Sequence, residues 1–106
     1  MADIFKAIAD STRREILLML IEDASNIGEI AENFKMTRPA VAKHIKILQK
    51  ANLVNIETDS VDTRQRNCYV QLEALKEVED YLSKLERYWQ TRLKGLGEYL
   101  SKNNTQ

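Results

Sequence analysis

Apolar residues recur along the first half of this chain with the three- and four-residue spacing of amphipathic helices. Four short helices are predicted, because each recurrence makes one apolar side. Their apolar sides are Ile4, Phe5 and Ile8 in the first; Ile16, Leu17, Leu20 and Ile21 in the second; Ile27, Ile30, Ala31 and Phe34 in the third; and Val41, Ile45 and Leu48 in the fourth.

Capping residues mark where these helices begin. Asp10 is a favourable N-cap for the second helix, and Asn26 with Glu29 forms a capping box for the third. Thr37 caps the fourth, with Pro39 in its first turn, where a missing N–H costs nothing. Asn52 is expected to close that helix in the left-handed conformation. The third and fourth helices are separated by so short a connection that they predict a helix-turn-helix.

Alternation with a period of two follows the fourth helix. Val54 and Ile56 alternate with polar residues, and Cys68 and Val70 do the same within residues 67–71. The polar segment 58–65 lies between them, so we predict a β-hairpin, or wing, directly after the fourth helix.

A long helix is predicted from Glu73 to about Leu100. Its apolar positions are Leu75, Val78, Leu82, Leu85, Trp89, Leu93, Leu96 and Leu100. Their spacing is close to a heptad repeat, and a body this small cannot cover a stripe about 40 Å long. The stripe, together with Ile4 and Phe5, is therefore predicted to be a homodimer interface.

The predicted fold class is mainly α with a small β-hairpin. The element order α-α-α-α-β-β-α corresponds to a winged helix-turn-helix with a long C-terminal dimerisation helix. Residues 1–72 are expected to form the winged domain, residues 73–101 the dimerisation helix and residues 102–106 a disordered tail.

Composition fits one globular domain of 106 residues with 43% apolar and 30% charged residues. A single Cys, no signal peptide and no apolar run long enough to cross a bilayer predict a cytoplasmic protein without membrane contact. The net charge is zero, but residues 1–32 carry net −4 and residues 33–66 net +4. A patterned surface of this kind concentrates positive potential in one region.

The most basic region is residues 33–56, which contain neither Asp nor Glu. The outward side of the fourth helix is cationic, with small residues near its start, as a helix entering the major groove of DNA requires. Candidate base contacts are Thr37, Arg38 and Lys43, beside Pro39 and Ala42. Candidate phosphate contacts are Lys35, Lys46 and Lys50. In the wing, Arg64, Gln65 and Arg66 are expected to reach either the flanking backbone or a minor groove.

Several of these segments together resemble the ArsR/SmtB family of bacterial winged-helix repressors. The resemblance rests on residues 5–17 (FKAIADSTRREIL), 27–31 (IGEIA), 37–45 (TRPAVAKHI) and Leu53-Val54, and residues 89–96 resemble the last helix of a non-metal branch. It implies a homodimer paired through its terminal helices, operator binding through the fourth helix and wing, and repression released by a signal.

Metal sensing is not expected to accompany this resemblance. Metal sensors of the family carry a Cys pair on the third helix, where this chain has Gly28 and Glu29, or ligands on the last helix. One His and one Cys cannot supply a zinc site within a subunit. We expect no cofactor, and a small-molecule or protein effector remains open.

Individual residues with reactive side chains are assigned structural roles. His44 is interpreted as a hydrogen-bonded packing residue, Cys68 as a buried small hydrophobe and Trp89 as part of the dimer core, with an effector pocket as the alternative for Trp89. Since no catalytic constellation accompanies the only His, we predict no enzyme activity.

The leading hypothesis is a sequence-specific regulator of transcription that binds double-stranded DNA. It would be a homodimeric repressor inserting helix 37–51 into the major groove of a near-palindromic operator. One alternative is a winged-helix protein-interaction module that docks through its long helix. A weaker alternative is the regulatory subunit of an enzyme.

Overall fold

A computed structural model describes residues 3–62 and 64–104, with side chains through Leu100. The chain divides into two compact units, residues 1–75 and residues 76–106. The helices are α1 (Ile4–Ile8), α2 (Ser11–Glu22), α3 (Ile27–Phe34), α4 (Arg38–Lys50) and α5 (Lys76–Asn104). The strands are β1 (Ser25–Asn26), β2 (Val54–Thr58) and β3 (Arg66–Val70).

Capping sets the starts of the helices as the sequence predicted. The carboxylate of Asp10 accepts from the backbone N–H of Arg13 at 3.0 Å. At α3, Asn26 Oδ1 accepts from the N–H of Glu29 at 2.8 Å, and the Glu29 carboxylate accepts from the N–H of Asn26 at 3.2 Å. Thr37 Oγ1 accepts from the N–H of Ala40 at 3.3 Å. Each bond satisfies an N–H group that the first turn leaves unpaired.

Left-handed residues terminate both helices of the helix-turn-helix. Lys35 has φ 54° and Asn52 has φ 61°. The N–H of Met36 then reaches back to the carbonyl of Ala31 at 2.9 Å, and the N–H of Leu53 reaches the carbonyl of Leu48 at 2.9 Å. Both ends are Schellman motifs, so the closing role predicted for Asn52 is confirmed.

The sheet is larger than the predicted hairpin. Its strand order is β1-β3-β2, and both pairings are antiparallel. Cys68 stands opposite Ser25 on one side and Ile56 on the other. Strand β1 was not predicted, because a strand of two residues is too short to show alternation, and Asn26 was predicted only as the N-cap of the third helix.

The core of the first unit combines one face of each helix with the inner face of the sheet. Its fully buried side chains are Ile16, Ile30, Val41, Ile45, Leu48, Leu53, Val54 and Cys68. Each helical residue in this set belongs to an apolar side identified from spacing. The predicted fold class is confirmed, with β1 added.

The second unit is α5, which differs from its prediction at both ends. A 3-10 turn (Leu72–Leu75) occupies the segment predicted to begin the long helix, so α5 starts at Lys76. It extends to Asn104, past the predicted end near Leu100. The last two residues of the predicted tail lie outside the described residues. At ~1.5 Å per residue the helix is about 44 Å long.

Candidate nucleic-acid interface

Helix α4 has one buried and one exposed face. Val41, Ile45 and Leu48 are at most 1% exposed. The side chains on the other face are solvent-accessible: Arg38, Pro39, Lys43, Lys46, Gln49 and Lys50 are exposed, and Ala42 is half-buried. This exposed face carries four cations and no carboxylate. It can therefore bring a concentrated positive charge against a polyanion.

The turn before α4 contains two of the predicted contact residues. Lys35 is exposed and occupies the left-handed position that ends α3. Thr37 is exposed, but its hydroxyl oxygen is occupied as the N-cap acceptor. The N-cap bond uses one of the two lone pairs of the hydroxyl oxygen, so Thr37 keeps one donor and one acceptor position for a ligand, and its role as a base contact stays a prediction.

Arg13 fixes the packing of α1 against α2. Its Nε donates to the carbonyl of Ala7 at 2.6 Å, and its Nη2 donates to the carbonyl of Lys6 at 3.1 Å. The neighbouring Arg14 Nη1 donates to the carbonyl of Ile8 at 2.8 Å. Cations at the C-terminus of a helix satisfy its last carbonyls and favour its dipole.

His44 of α4 lies close to Arg13 of α2 and to its N-cap Asp10. Its Nδ1 lies 3.4 Å from Arg13 Nη1 and 3.9 Å from the carboxylate of Asp10. Since a guanidinium can only donate, the contact with Arg13 requires Nδ1 as the acceptor. The hydrogen bond from the backbone N–H of Arg13 is the main cause that lowers the pKa of Asp10; desolvation opposes it, and the charge of Arg13 adds to it. The packing role predicted for His44 is confirmed.

The wing tip is built by the carboxylates that the sequence contains there. Asp59 Oδ1 accepts from the N–H groups of Val61 and Asp62, at 2.7 and 3.2 Å, and these bonds lower the pKa of Asp59. Asp62 Oδ1 accepts from the N–H of Arg64 at 3.1 Å. These side-chain bonds form the turn without a glycine, since Asx-type bonds supply what left-handed backbone supplies elsewhere.

The basic side chains of the wing are exposed. Arg64, Gln65 and Arg66 all project from the tip or the start of β3. Arg64 Nε is 3.5 Å from Asp62 Oδ1, and the side chain of Arg64 is 92% exposed, so this surface pair holds it weakly.

Arg38 lies apart from the lysines of α4. Its side chain rests on the first turn of α3, where a Cβ placed on Gly28 would be 3.1 Å from Arg38 Nη2. Arg38 also lines an open cavity of about 320 Å³ with the three wing residues Arg64, Gln65 and Arg66. The structure thus brings the wing and the start of α4 together, whereas Lys43, Lys46 and Lys50 do not line this cavity.

Cys68 is part of the core. Its side chain is fully buried, and burial raises the pKa of its thiol despite the opposing charge of Arg66. A thiol with these properties is unreactive, because the thiolate is the nucleophile. The buried role predicted for Cys68 is confirmed.

The residues predicted to form a dimer interface fall into two groups. Leu82, Leu85, Trp89, Leu93, Leu96 and Leu100 form an exposed stripe along α5, each between 47% and 61% exposed. Val78 lies near the start of α5, and Leu75 lines an apolar groove with Leu18 and Ile21. Ile4, in contrast, is 5% exposed and Phe5 is half-buried. Ile4 packs inside its own subunit, so we remove it from the predicted interface.

Sequence reasoning missed Arg13, Arg14 and Gly28. Arg13 and Arg14 follow the end of α1 by five and six residues, and that spacing could have indicated that they bind its last carbonyl groups. Gly28 gave no such signal, because its effect depends on a side chain ten residues away.

Among the described residues, no group of His, Cys, Asp and Glu is arranged to hold a metal ion. No described helix is both long and apolar enough to cross a bilayer.

Comparison with protein-family models places residues 10–55 in a family described as bacterial regulatory protein, arsR family. Over 55 residues the chain is 40% identical to the transcriptional repressor SdpR of Bacillus subtilis, covering 52% of this chain and 61% of SdpR. It is 42% identical over 50 residues to the HTH-type transcriptional regulator Rv2034 of Mycobacterium tuberculosis, covering 47% of each. These matches span about half the length of the curated relatives.

Solved structures extend the similarity to most of the chain. The crystal structure of one ArsR family transcriptional regulator is 31% identical, with a TM-score of 0.70, covering 82% of this chain and 87% of that one. An ArsR-like transcriptional regulator from Rhodococcus sp. RHA1 is 26% identical, also with a TM-score of 0.70, covering 91% and 88%.

Proposed function

Because the chain belongs to the ArsR family of bacterial transcription regulators, we propose that it is a homodimeric repressor that binds a near-palindromic DNA operator. Helix α4 enters the major groove, and the wing lies along the flanking backbone. The two α4 helices of a dimer contact successive major grooves about 34 Å apart. The curated relative SdpR is named as a transcriptional repressor, which supports this direction of control.

The observation that carries the proposal is the charge of the exposed face of α4. Four cations point to solvent from a helix whose opposite face is buried, and its short turn and N-cap fix its start. Lys43 follows the small residues Ala40 and Ala42, where the helix can approach the groove floor, and we assign it to a base edge. Lys46 and Lys50 lie further along and are assigned, with Lys35, to phosphates.

The apolar stripe of α5 supports the homodimer. Six large apolar side chains, about half exposed, follow one face of a 29-residue helix. A contiguous exposed stripe of this size marks an interaction site in most proteins. A second copy of the same helix presents the same stripe, so a two-fold pairing covers both copies at once.

A fluorescence anisotropy titration tests DNA binding. The probe is a labelled duplex from the promoter of the protein's own gene, measured at several salt concentrations against a scrambled duplex. We expect the Lys43→Ala, Lys46→Ala double variant to bind the promoter more weakly, with a salt slope smaller by ~0.9 for each phosphate that the variant no longer neutralises. Lys84→Ala, Lys94→Ala is the matched control, because it removes the same charge from α5.

Equal binding by the wild type and the Lys43→Ala, Lys46→Ala variant would refute the assignment of α4.

The exposed stripe of α5 also fits the second candidate function, a protein-interaction module. That function predicts no preference for the promoter over the scrambled duplex, and salt-insensitive binding of a protein partner through α5.

A further inference from the structure

One open cavity lies where the first turn of α3, the first turn of α4 and the wing meet. Its volume is about 320 Å³. It is lined by Asn26, Ile27, Gly28, Arg38, Arg64, Gln65 and Arg66. Three of these residues are arginines and none is acidic, so the cavity has the charge of an anion site.

Two carboxylates close in sequence to the residues that line the cavity accept backbone hydrogen bonds. Glu29 accepts from the backbone N–H of Asn26, and Asp62 accepts from the backbone N–H of Arg64. Among the described residues, neither the Arg38 nor the Arg66 side chain forms a hydrogen bond or a salt bridge. Two guanidinium groups with free N–H donors therefore border the same space, and a guanidinium matches the oxygens of a phosphate in a bidentate geometry.

Gly28 makes room for Arg38. A Cβ at this position would lie 3.1 Å from Arg38 Nη2 and 3.3 Å from Asn26 Oδ1, which is closer than ordinary contact, and 3.4 Å from Arg38 Cζ. The φ of Gly28 is not positive, so the backbone does not require glycine here. Glycine is also a poor helix former. A side chain at position 28 would require the Arg38 guanidinium and the Asn26 amide to shift by a few tenths of an ångström.

We propose that this cavity binds one phosphodiester group of the DNA backbone, held between Arg38 and Arg66, with Gly28 as the positioning residue for Arg38. The inference rests on the proposed DNA-binding function and deepens it. It assigns Arg38 to the backbone, in place of the base contact predicted from the sequence. Arg64 also lines the cavity, but its side chain is 92% exposed and only weakly paired with Asp62, so it contributes less.

Methylphosphonate scanning tests the phosphate site. Each phosphate of the promoter duplex is replaced in turn by a neutral methylphosphonate, and anisotropy gives the affinity of the wild type and of Arg38→Ala, Arg66→Ala. We expect one position in each half-site where the replacement weakens wild-type binding about tenfold or more, as expected for removal of a charge-assisted hydrogen bond. The affinity of the double variant should not change at that position.

The positioning role of Gly28 has its own readout. Gly28→Ala should weaken wild-type binding several-fold and have no effect on binding in an Arg38→Ala background. An effect through the N-cap Asn26, whose Oδ1 is also close to the added Cβ, would persist in that background. Gly95→Ala is the control, because no atom lies within 4 Å of a Cβ added there.

Three outcomes would overturn the inference. The first is the absence of a position whose effect depends on Arg38 and Arg66, with promoter binding intact; the proposed function then stands and the site is wrong. The second is a weakening in Arg38→Ala that occurs for one base sequence only, which would return Arg38 to base reading. If the wild type does not distinguish any duplex, the proposed function fails as well.

Discussion

Truncating one leucine of the α5 stripe should weaken the dimer by a predictable amount. Leu96 is 52% exposed in the single chain. Full burial of a leucine contributes about 1.5–3 kcal/mol, so covering the exposed half contributes about 0.8–1.5 kcal/mol. A two-fold dimer contains the residue twice, and Leu96→Ala should therefore cost about 1.5–3 kcal/mol of association. This corresponds to a rise of roughly tenfold to 150-fold in the dissociation constant.

Sedimentation equilibrium over nanomolar to micromolar concentrations measures this change. Alanine is a better helix former than leucine, so the variant should keep the helix content of the wild type by circular dichroism. Lys84→Ala is the control, because residue 84 lies on the opposite face of α5 from the stripe. A wild type that is monomeric at micromolar concentration, or a Leu96→Ala variant with an unchanged constant, would refute the reasoning.

Three further predictions concern the first unit. Lys35→Gly should raise stability by about 1 kcal/mol, or ~4–8 °C in a thermal melt, because glycine removes the cost of the left-handed conformation at φ 54°. Asn52→Gly is its control, since only Lys35→Gly should also reduce the salt slope of DNA binding. Asp10→Asn keeps an N-cap side chain that cannot titrate. Because folding lowers the pKa of Asp10, the stability that its carboxylate contributes is lost as the pH falls through the lowered pKa. In thermal melts, the variant should therefore lose less stability on acidification than the wild type. Cys68 should react with iodoacetamide in urea but not in the native protein, and native labelling at the unfolded rate would contradict its burial.

The sequence predicted the helices of the first unit because their determinants are local. Asp10, Asn26 and Thr37 each cap a helix through a bond to a residue three positions on, and a local bond can be recognised from spacing. The same holds for the buried faces, since Val41, Ile45 and Leu48 repeat with the period of the helix. Strand β1 escaped prediction because its pairing with Cys68 and Asn67 joins distant parts of the chain and involves only two residues of the strand.

Candidate binding residues could be predicted as a charge pattern but not as a geometry. Spacing placed Lys43, Lys46 and Lys50 on the exposed face of one helix, and the structure leaves them there. Spacing could not separate Arg38 from these lysines, because its guanidinium lies against Gly28 on another helix, where a larger residue would leave less room. Nor could spacing show that Asp59 and Asp62 accept the backbone hydrogen bonds that hold the turn before Arg64 and Arg66.

The lysines of α4 and the arginines of the cavity are expected to contribute differently to the affinity and to the specificity of DNA binding. Lysines at 43, 46 and 50 move on flexible stems along the exposed face of α4, so each can follow the nearest phosphate or base edge. The Arg38 guanidinium lies against Gly28 of α3, and Arg66 extends from the first position of β3. In the proposed site, a phosphate held between these two arginines would fix the register of α4 on the duplex, since backbone contacts orient a protein without reading sequence. Errors in that register displace every base contact at once. A variant at Gly28 is therefore expected to reduce discrimination between operator and scrambled DNA more than it reduces the salt dependence of binding.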